Sequence, residues 1–529
     1  MLKDTDNRIA RGVVFLGLVI TLLGSIFHYK FGYTHTDLSG HAWGSDDAYI
    51  SFRYARNLAQ GKGLVYNSGE RVEGYSNLLF TLMLSLAFRA GAQDDEVILI
   101  AFVLNLCAIL VAYQVFYRYL SSRFPSTYYL GLIGFALNPL IWLWTASGLE
   151  TAWVFLLQLA LFVAVENHLH DQTRAGAFLI GAIAIALTLM RADGFIAPLI
   201  ILVYLLARKK WTAALSLASC MLVTLIFLTV WRLIYYGSPL PNTYYAKVTG
   251  SITQRLLHGL GLLAYMISRN GFIIYLAALL QSAWIWLNHN LVHRNMTKAS
   301  LRLEFFLGLG WLGYWLLIGG DNYLERFLII LIPFGLIALL HLVQGWAVLP
   351  ARFLPLLLAL PLLPLITDTR FHYLPQKYDR WITLGHFLAE HHSAATLAID
   401  AAGKVPYFSN LKTIDMLGLN NYTISRHRVT YYIPGWYKFY PEYVFSRKPD
   451  LIAAWFPAET TYNCLPLDLS LGLTQIEYEQ HGYRLRYLLY TGQVSQIQDI
   501  LDVSQLEPVA ICQQIQAGYR YGILQKMQP

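Results

Sequence analysis

Charge is what this chain has least of. Only 13% of its 529 residues are Asp, Glu, Lys or Arg, against about 25% in an ordinary soluble domain, while 56% are hydrophobic. That balance excludes a single soluble core. Cysteine is scarce too: Cys107 and Cys220 lie inside apolar runs, Cys464 and Cys512 lie in a polar C-terminal part, and their spacing spells no metal site. The last two either pair in an oxidising compartment or stay as separate thiols. No solenoid repeat and no low-complexity linker is present. No Gly-rich loop stands at a strand-to-helix junction, so a site for a soluble nucleotide's phosphates has no support. The net charge of +8 does not signal nucleic acid, because the basic residues fall in short clusters between apolar runs rather than on one amphipathic face.

What the chain does have is long apolar runs. They recur to about residue 367, each long enough, or nearly so, to cross a hydrocarbon core of about 30 Å. The first, "RGVVFLGLVITLLGSIF", follows Lys3, Arg8 and Arg11 with no small-residue cleavage site after it, which reads as a retained signal anchor with a cytoplasmic N-terminus. Further spans are expected near 97–117, 127–145, 151–167, 176–190, 195–207, 211–235, 271–287, 303–320, 327–345 and 353–367, about eleven in all. The stretch "SNLLFTLMLSLAFRAGA", 76–92, is read as an interfacial or re-entrant helix; the alternative, a full crossing, inverts every later loop and puts the basic clusters outside. The cytoplasm then receives Arg118, Arg123, Arg174, "RKK" 208–210, Arg294, Lys298, Arg302 and Arg352, in agreement with the positive-inside bias.

The same topology gathers the unusual polar loops on the opposite face: "DDAYISFRYAR", "ASGLET", "MRADG", "LPNTYYAK", "GGDNYLERF" and the tail from 368. The expected organisation is a polytopic helical membrane domain over 1–367, with a first extracytoplasmic loop at 34–96, and an extracytoplasmic soluble α/β domain over 368–529. Strand-length runs in the tail, "TLAID" 396–400 and "LIAAW" 451–455, alternate with amphipathic stretches such as "RWITLGHFLAEHH" 380–392.

Chemistry concentrates in the polar loops. Ser45 before "DDAYISFRYARNLA" is an N-cap signature that sets Asp46 and Asp47 in a first helical turn. Acids at a helix start are often no more than dipole partners. Two adjacent carboxylates at a membrane boundary repel, however, so at least one should gain a cation, a donor or a proton. Tyr49, Phe52, Arg53 and Arg56 follow at helical spacing. A carboxylate among cations beside lipid suits deprotonation of an acceptor hydroxyl while an anionic phosphate leaves. Either Asp46 or Asp47 is the candidate base, with Glu150 and Asp321 as further acids; Glu150 also fits a helix start and Asp321 a turn. Arg191, Lys247 and Arg326 are the candidate phosphate ligands, with Arg53 and Arg56 beside them; interfacial snorkelling is the plainer alternative. Asp193 is set to pair with Arg191 locally. Tyr49, Tyr244 and Tyr245 are candidates for stacking on a sugar, or members of an interfacial aromatic belt. Asp46, Asp47 and Asp321 leave a divalent cation open.

The string "DDAYISFRYARNLAQGKGLVYNSGERVEGYSN" resembles the first external loop of bacterial GT-C membrane glycosyltransferases, the family typified by the mycobacterial terminal arabinofuranosyltransferase. The landmarks "SGLET", "RADG", "LPNTYYAK", "GGDNYLERF" and "AAGKVPYFS" followed by "TIDMLGL" agree in order. The resemblance implies a polyprenyl-phosphate-sugar donor, an acid of the first loop (here Asp46 or Asp47) as base, an active site on the outer face of a bacterial inner membrane, and a soluble domain above it. The acceptor it implies is an envelope glycan or glycolipid such as lipopolysaccharide, and the transferred sugar a pentose or a hexose. Ala192 in "RADG" departs from the family's frequent proline. A transporter or flippase of a lipid-linked or anionic precursor is the alternative; it would show midplane charges and internal repeats, and here the charges cluster at one boundary.

Overall fold

The computed structural model describes residues 2–31, 44–269, 271–293, 302–321, 323–345, 360–371, 379–429, 438, 440–456, 471–491 and 500–527. Its N-terminal part is helical. In chain order the helices are α1 Leu2–Phe31, α2 Asp46–Ala59, α3 Leu78–Arg89, α4 Val97–Arg123, α5 Tyr128–Ala136, α6 Pro139–Ala146, α7 Thr151–Asp171, α8 Arg174–Met190, α9 Ile196–Ala207, α10 Trp211–Tyr236, α11 Asn242–Lys247, α12 Ile252–Arg269, α13 Ile273–His293, α14 Leu303–Ile318 and α15 Leu331–Gly345.

Among the described residues, Gly12–Lys30, α4, α7 and α10 are long and apolar enough to cross a membrane. The helices α5 and α6 pass the same length and composition test only as a pair and are bent by 50° at their break, as a broken span or a re-entrant loop is. The bend sits at Asn138–Pro139: the asparagine side chain accepts from the Leu140 amide, and the proline opens α6 where no amide is needed. The expected eleven spans are reached only by counting that pair as one and adding the α12–α13 pair, the shorter apolar helices α8, α9, α14 and α15, and the run at 353–367. Residues 353–359 of that run lie outside the described residues. The span expected at 271–287 is preceded by α12, an amphipathic helix that the apolar pattern did not announce. Helix α3 has 12 residues, about 18 Å at 1.5 Å per residue, and packs on α2, α4 and α8. The equally short α9 has 12 residues as well, so length does not by itself separate an interfacial helix from a span.

The C-terminal part is an α/β unit, as the strand-length runs implied. Strands β1 Thr396–Ile399, β2 Lys412–Asp415, β3 Leu451–Trp455, β4 Tyr483–Tyr490, β5 Ile500–Asp502 and β6 Tyr519–Lys526 form one mixed sheet in the order β2-β1-β3-β6-β4-β5. Strands β2, β1 and β3 are parallel; β6, β4 and β5 join antiparallel. Both faces are covered. Leu397, Ile399, Leu451, Ala453 and Trp455 pack into one core, and Ala398, Ile452, Ala454 and Phe456 into the other, which is why β3 reads as an unbroken apolar run. Cys512 is buried in this unit; its suggested partner Cys464 lies outside the described residues.

The two parts share a core. Ile50 and Tyr54 of α2, Tyr66 and Tyr75 of the first loop, Tyr236 at the end of α10, and Ala402 and Leu419 of the tail pack as one buried cluster. The first loop is therefore the mount on which the α/β unit sits.

Candidate active site

Helix α2 begins where the sequence suggested, and Ser45 has the extended backbone of an N-cap residue, but its hydroxyl does not cap the helix. It donates instead to Tyr323 Oη at 2.8 Å. That bond ties the first loop to the "GGDNYLERF" segment.

The two aspartates are in different circumstances. Asp46 is latched to the tail: its Oδ2 accepts from the Gly403 amide at 3.0 Å and its Oδ1 from the Lys404 amide at 2.8 Å. Gly403 permits the approach, since a Cβ there would lie 2.0 Å from the Asp46 carbonyl oxygen. Burial pushes the Asp46 carboxyl up to about 7, and the adjacent Asp47 carboxylate adds to the rise against the pull of the two amides. The donors expected for one member of the pair are thus found at Asp46. Asp47 is half-buried, one residue on, and has no hydrogen bond or ion pair among the described residues.

Arg191 and Arg326 come together, from the end of α8 and from the short 3-10 turn Leu324–Phe327, on one carboxylate. Arg191 Nη1 donates to Glu150 Oε1 at 3.0 Å and Arg326 Nη2 to the same oxygen at 2.7 Å. The other oxygen, Oε2, accepts from Asn77 Nδ2 at 2.9 Å. Burial pushes the Glu150 carboxyl up, but Arg326 and then Arg191 outweigh it and hold the group below the usual carboxylate range. Glu150 is 1% exposed, Arg191 9% and Arg326 7%, so this is an interior charge cluster and not a set of separate headgroup anchors. Asp193 pairs with Arg191 at 2.6 Å and accepts from Tyr314 Oη at 2.9 Å, as its local spacing suggested. Arg326 keeps Nη1 without a hydrogen-bond partner among the described residues. The Tyr323 ring lies 5.7 Å from the Arg326 guanidinium, so a chain of contacts runs from Ser45 through Tyr323 to Arg326, Glu150 and Arg191.

The departure at Ala192 acquires a reason here. The Ala192 amide donates to Ser76 O at 2.7 Å, a bond that proline could not make. Gly194 closes the same turn, where a Cβ would lie 2.0 Å from Leu187 O.

Other candidate residues are placed elsewhere. Arg53 and Arg56 are not brought together with Arg191 and Arg326, because their donors are taken by the tail and the first loop. Arg53 donates to Tyr66 O at 2.9 Å, Pro406 O at 2.6 Å and Leu411 O at 2.7 Å. Arg56 donates to Asp94 at 2.7 Å and Tyr407 O at 3.1 Å. Tyr49 is buried against Tyr407 and Phe408 and offers no face to a sugar. Lys247 is exposed on α11 and does not join the arginines. Tyr244 is 47% exposed, whereas the Tyr245 ring is covered by the Arg426 guanidinium at 4.1 Å. Asp321 makes an Asx turn, its Oδ1 accepting from the Tyr323 amide at 2.8 Å. With both oxygens of Asp46 and one of Asp321 already committed, the three aspartates do not form a cation cage, and no cluster of three or more His, Cys, Asp or Glu suited to a metal occurs among the described residues.

Residues that the motif reading passed over build much of the frame. Asn242 of "LPNTYYAK" donates to Gly418 O at 2.8 Å and Leu419 O at 2.9 Å and accepts from Ser425 and Arg426, so that motif docks the tail. Glu73 pairs with Arg232 at 2.9 Å, Glu325 with Arg370 at 2.9 Å and Lys404 with Asp379 at 2.6 Å. All six are buried, and their partners are too distant in sequence for spacing to reveal.

This arrangement, a membrane helical domain with an acidic first loop mounted under an α/β unit, is the fold of the GT-C membrane enzymes. It superposes on the oligosaccharyltransferase AglB of Archaeoglobus fulgidus, in a structure with an inhibitory peptide and a dolichol-phosphate, with a TM-score of 0.55 at 12% identity over 97% of this chain and 88% of that one. A second structure of the Archaeoglobus fulgidus oligosaccharyltransferase, with Zn and sulfate, gives 0.54 at 13% identity over 90% and 78%. In sequence, 247 residues are 26% identical to the terminal beta-(1->2)-arabinofuranosyltransferase of Corynebacterium glutamicum, covering 43% of this chain and 35% of that protein. The chain thus aligns with about a third of that relative's length. Residues 371–505 match a family described as a domain of unknown function, DUF8728.

Proposed function

We propose that the protein is an inverting glycosyltransferase that moves a pentose or hexose from a polyprenyl-phosphate carrier to an envelope glycan or glycolipid, on the extracytoplasmic face of a bacterial inner membrane. The observation that carries the reading is the junction at Tyr323: it joins Ser45, beside Asp47, which has no partner among the described residues, to the buried Arg326–Glu150–Arg191 cluster. The dolichol-phosphate held by the archaeal structure and the arabinofuranosyl transfer named for the corynebacterial relative give the same substrate classes.

Asp47 takes the proton of the acceptor hydroxyl, the oxygen attacks the anomeric carbon, and the bond from that carbon to the phosphate oxygen breaks with its electron pair on the phosphate. A single displacement inverts the centre. Arg326, through the Nη1 that has no partner among the described residues, and Arg191 neutralise the departing phosphate. Asp46, whose two oxygens are held by the Gly403 and Lys404 amides, fixes the start of α2 to the tail.

The test is turnover of labelled polyprenyl-phosphate sugars by the purified full chain in nanodiscs. Asp47→Asn should lower turnover by at least about 100-fold, the usual contribution of general-base catalysis, with the thermal midpoint kept. Full activity in that variant removes the base. Reporter fusions at Ser121 and Lys209 should read opposite to a fusion at the C-terminus; a cytoplasmic signal from the tail overturns the orientation.

A further inference from the structure

Between the first loop and the edge of the sheet lies a cavity of about 330 Å³ that the reaction just described does not use. Its size falls within the roughly 300–1,000 Å³ of small-ligand sites. Glu70, Lys412, Asn421, Tyr422, Tyr443 and Arg447 supply its functional groups.

Three features narrow the ligand. Charge is nearly balanced, with Lys412 paired to Glu70 at 3.4 Å and Arg447 without a partner among the described residues, so no convergent set of cations awaits a phosphate. The outer edge of β2 is closed, because Asn67 accepts from the Thr413 amide at 3.1 Å and donates to its carbonyl at 2.8 Å; a peptide strand has no ladder to join. An aromatic face is held out in a fixed pose: Tyr422 is 50% exposed, and the Arg426 guanidinium is sandwiched between it and Tyr245, 3.6 and 4.1 Å from the two rings. Donors, acceptors and an aromatic surface with little net charge suit a polyhydroxylated chain.

The cavity also adjoins the helix that carries the candidate base. Asn420, in its wall, accepts from Tyr54 Oη at 3.1 Å, and Tyr54 lies seven residues beyond Asp47 on α2. We infer that this cavity is a subsite for the distal residues of an oligosaccharide acceptor, so that the enzyme favours an extended glycan over a short one. The inference rests on the transferase reading for its biological meaning and on the cavity alone for its binding.

The probes are arabinofuranosyl and mannosyl oligosaccharides of two and six residues. With Tyr422→Ala or Arg447→Ala, the KM for the favoured six-residue acceptor should rise about tenfold, ~1.4 kcal/mol. Its kcat and the kinetics of the two-residue acceptor should stay unchanged, and Tyr422→Phe, which keeps the ring, should restore the wild-type KM. Saturation-transfer NMR of the same oligosaccharides on the full chain without donor reads binding separately. Length-dependent binding lost in both alanine variants, with no donor turned over, keeps the subsite and removes the transferase. Turnover that is equally good on both lengths, or insensitive to both alanine variants, removes the subsite and keeps the transferase.

Discussion

Two pairs of buried arginines behave in opposite ways. Arg53 and Arg56 of α2 bond mainly to backbone carbonyls of the tail and the first loop, whereas Arg191 and Arg326 bond to a shared carboxylate. A carbonyl is fixed by the chain, so the first pair works as a clasp, and its charge is uncompensated except for Asp94 at Arg56; burial pulls the Arg53 guanidinium down from its ordinary value. A carboxylate is a side chain that can exchange partners, so the second pair can turn toward an incoming anion. Charge near a membrane boundary is therefore a poor guide to function until the acceptor of each hydrogen bond is known.

The largest expected effect breaks the second pair. Glu150, Asp193, Arg191 and Arg326 sum to zero charge, and Glu150→Gln leaves one buried positive charge unbalanced. Such a loss costs about 3–5 kcal/mol, measured as a fall in thermal stability in detergent. Adding Arg326→Gln to that variant restores neutrality, so stability should recover by more than additivity allows while donor turnover does not. Recovery of both would reduce Arg326 to a structural counter-ion.

Arg326→Gln and Arg53→Gln sharpen the contrast at smaller magnitude. The first should weaken donor use by about 1.5–3 kcal/mol, the range for hydrogen bonds to charged groups, read as kcat/KM. The second should cost stability in the same range, with faster proteolysis of the tail and an unchanged KM for the donor. Equal donor defects in the two would erase the distinction between clasp and site.

Much of the fold was legible because it rests on local patterns. The period-two and all-apolar runs at 396–400 and 451–455 became β1 and β3, and the apolar runs became helices. Helix α12 escaped because Gln254, Arg255 and His258 break its apolar run, its apolar residues being gathered on one face instead. The site was legible as residue types and not as partners. Asp46 and Asp47 are adjacent in sequence, but what separates them is an amide pair about 357 residues away. Arg191, Lys247 and Arg326 were candidates for one phosphate site or for separate anchors; Arg191 and Arg326 meet on Glu150, whereas Lys247 stays on the surface, since nothing in "LPNTYYAK" reveals that Asn242 turns the motif toward the tail.

The split within the acidic pair is tested through pH. The Asp46 carboxyl titrates near 7 in the folded protein against about 3.9 in an unfolded chain. Between those values the folded state binds the proton that the unfolded state has lost, so the Asp46 contribution is fully present below about pH 4 and is lost as pH rises through about 7. Asp415, which burial pushes up to about 6, titrates in the same window, so the raw profile does not isolate Asp46. The difference between wild type and Asp46→Asn does, because asparagine remains a neutral acceptor throughout. Thermal midpoints taken from pH 4.5 to 8 should show the variant gaining on the wild type as pH rises, with the difference levelling off above about 7. A trend of the opposite sign would mean that the Gly403 and Lys404 amides favour the ionised carboxylate by more than burial opposes it. Asp46 would then be charged at neutral pH, as free to act as a base as Asp47, and the division of labour between latch and base would fail.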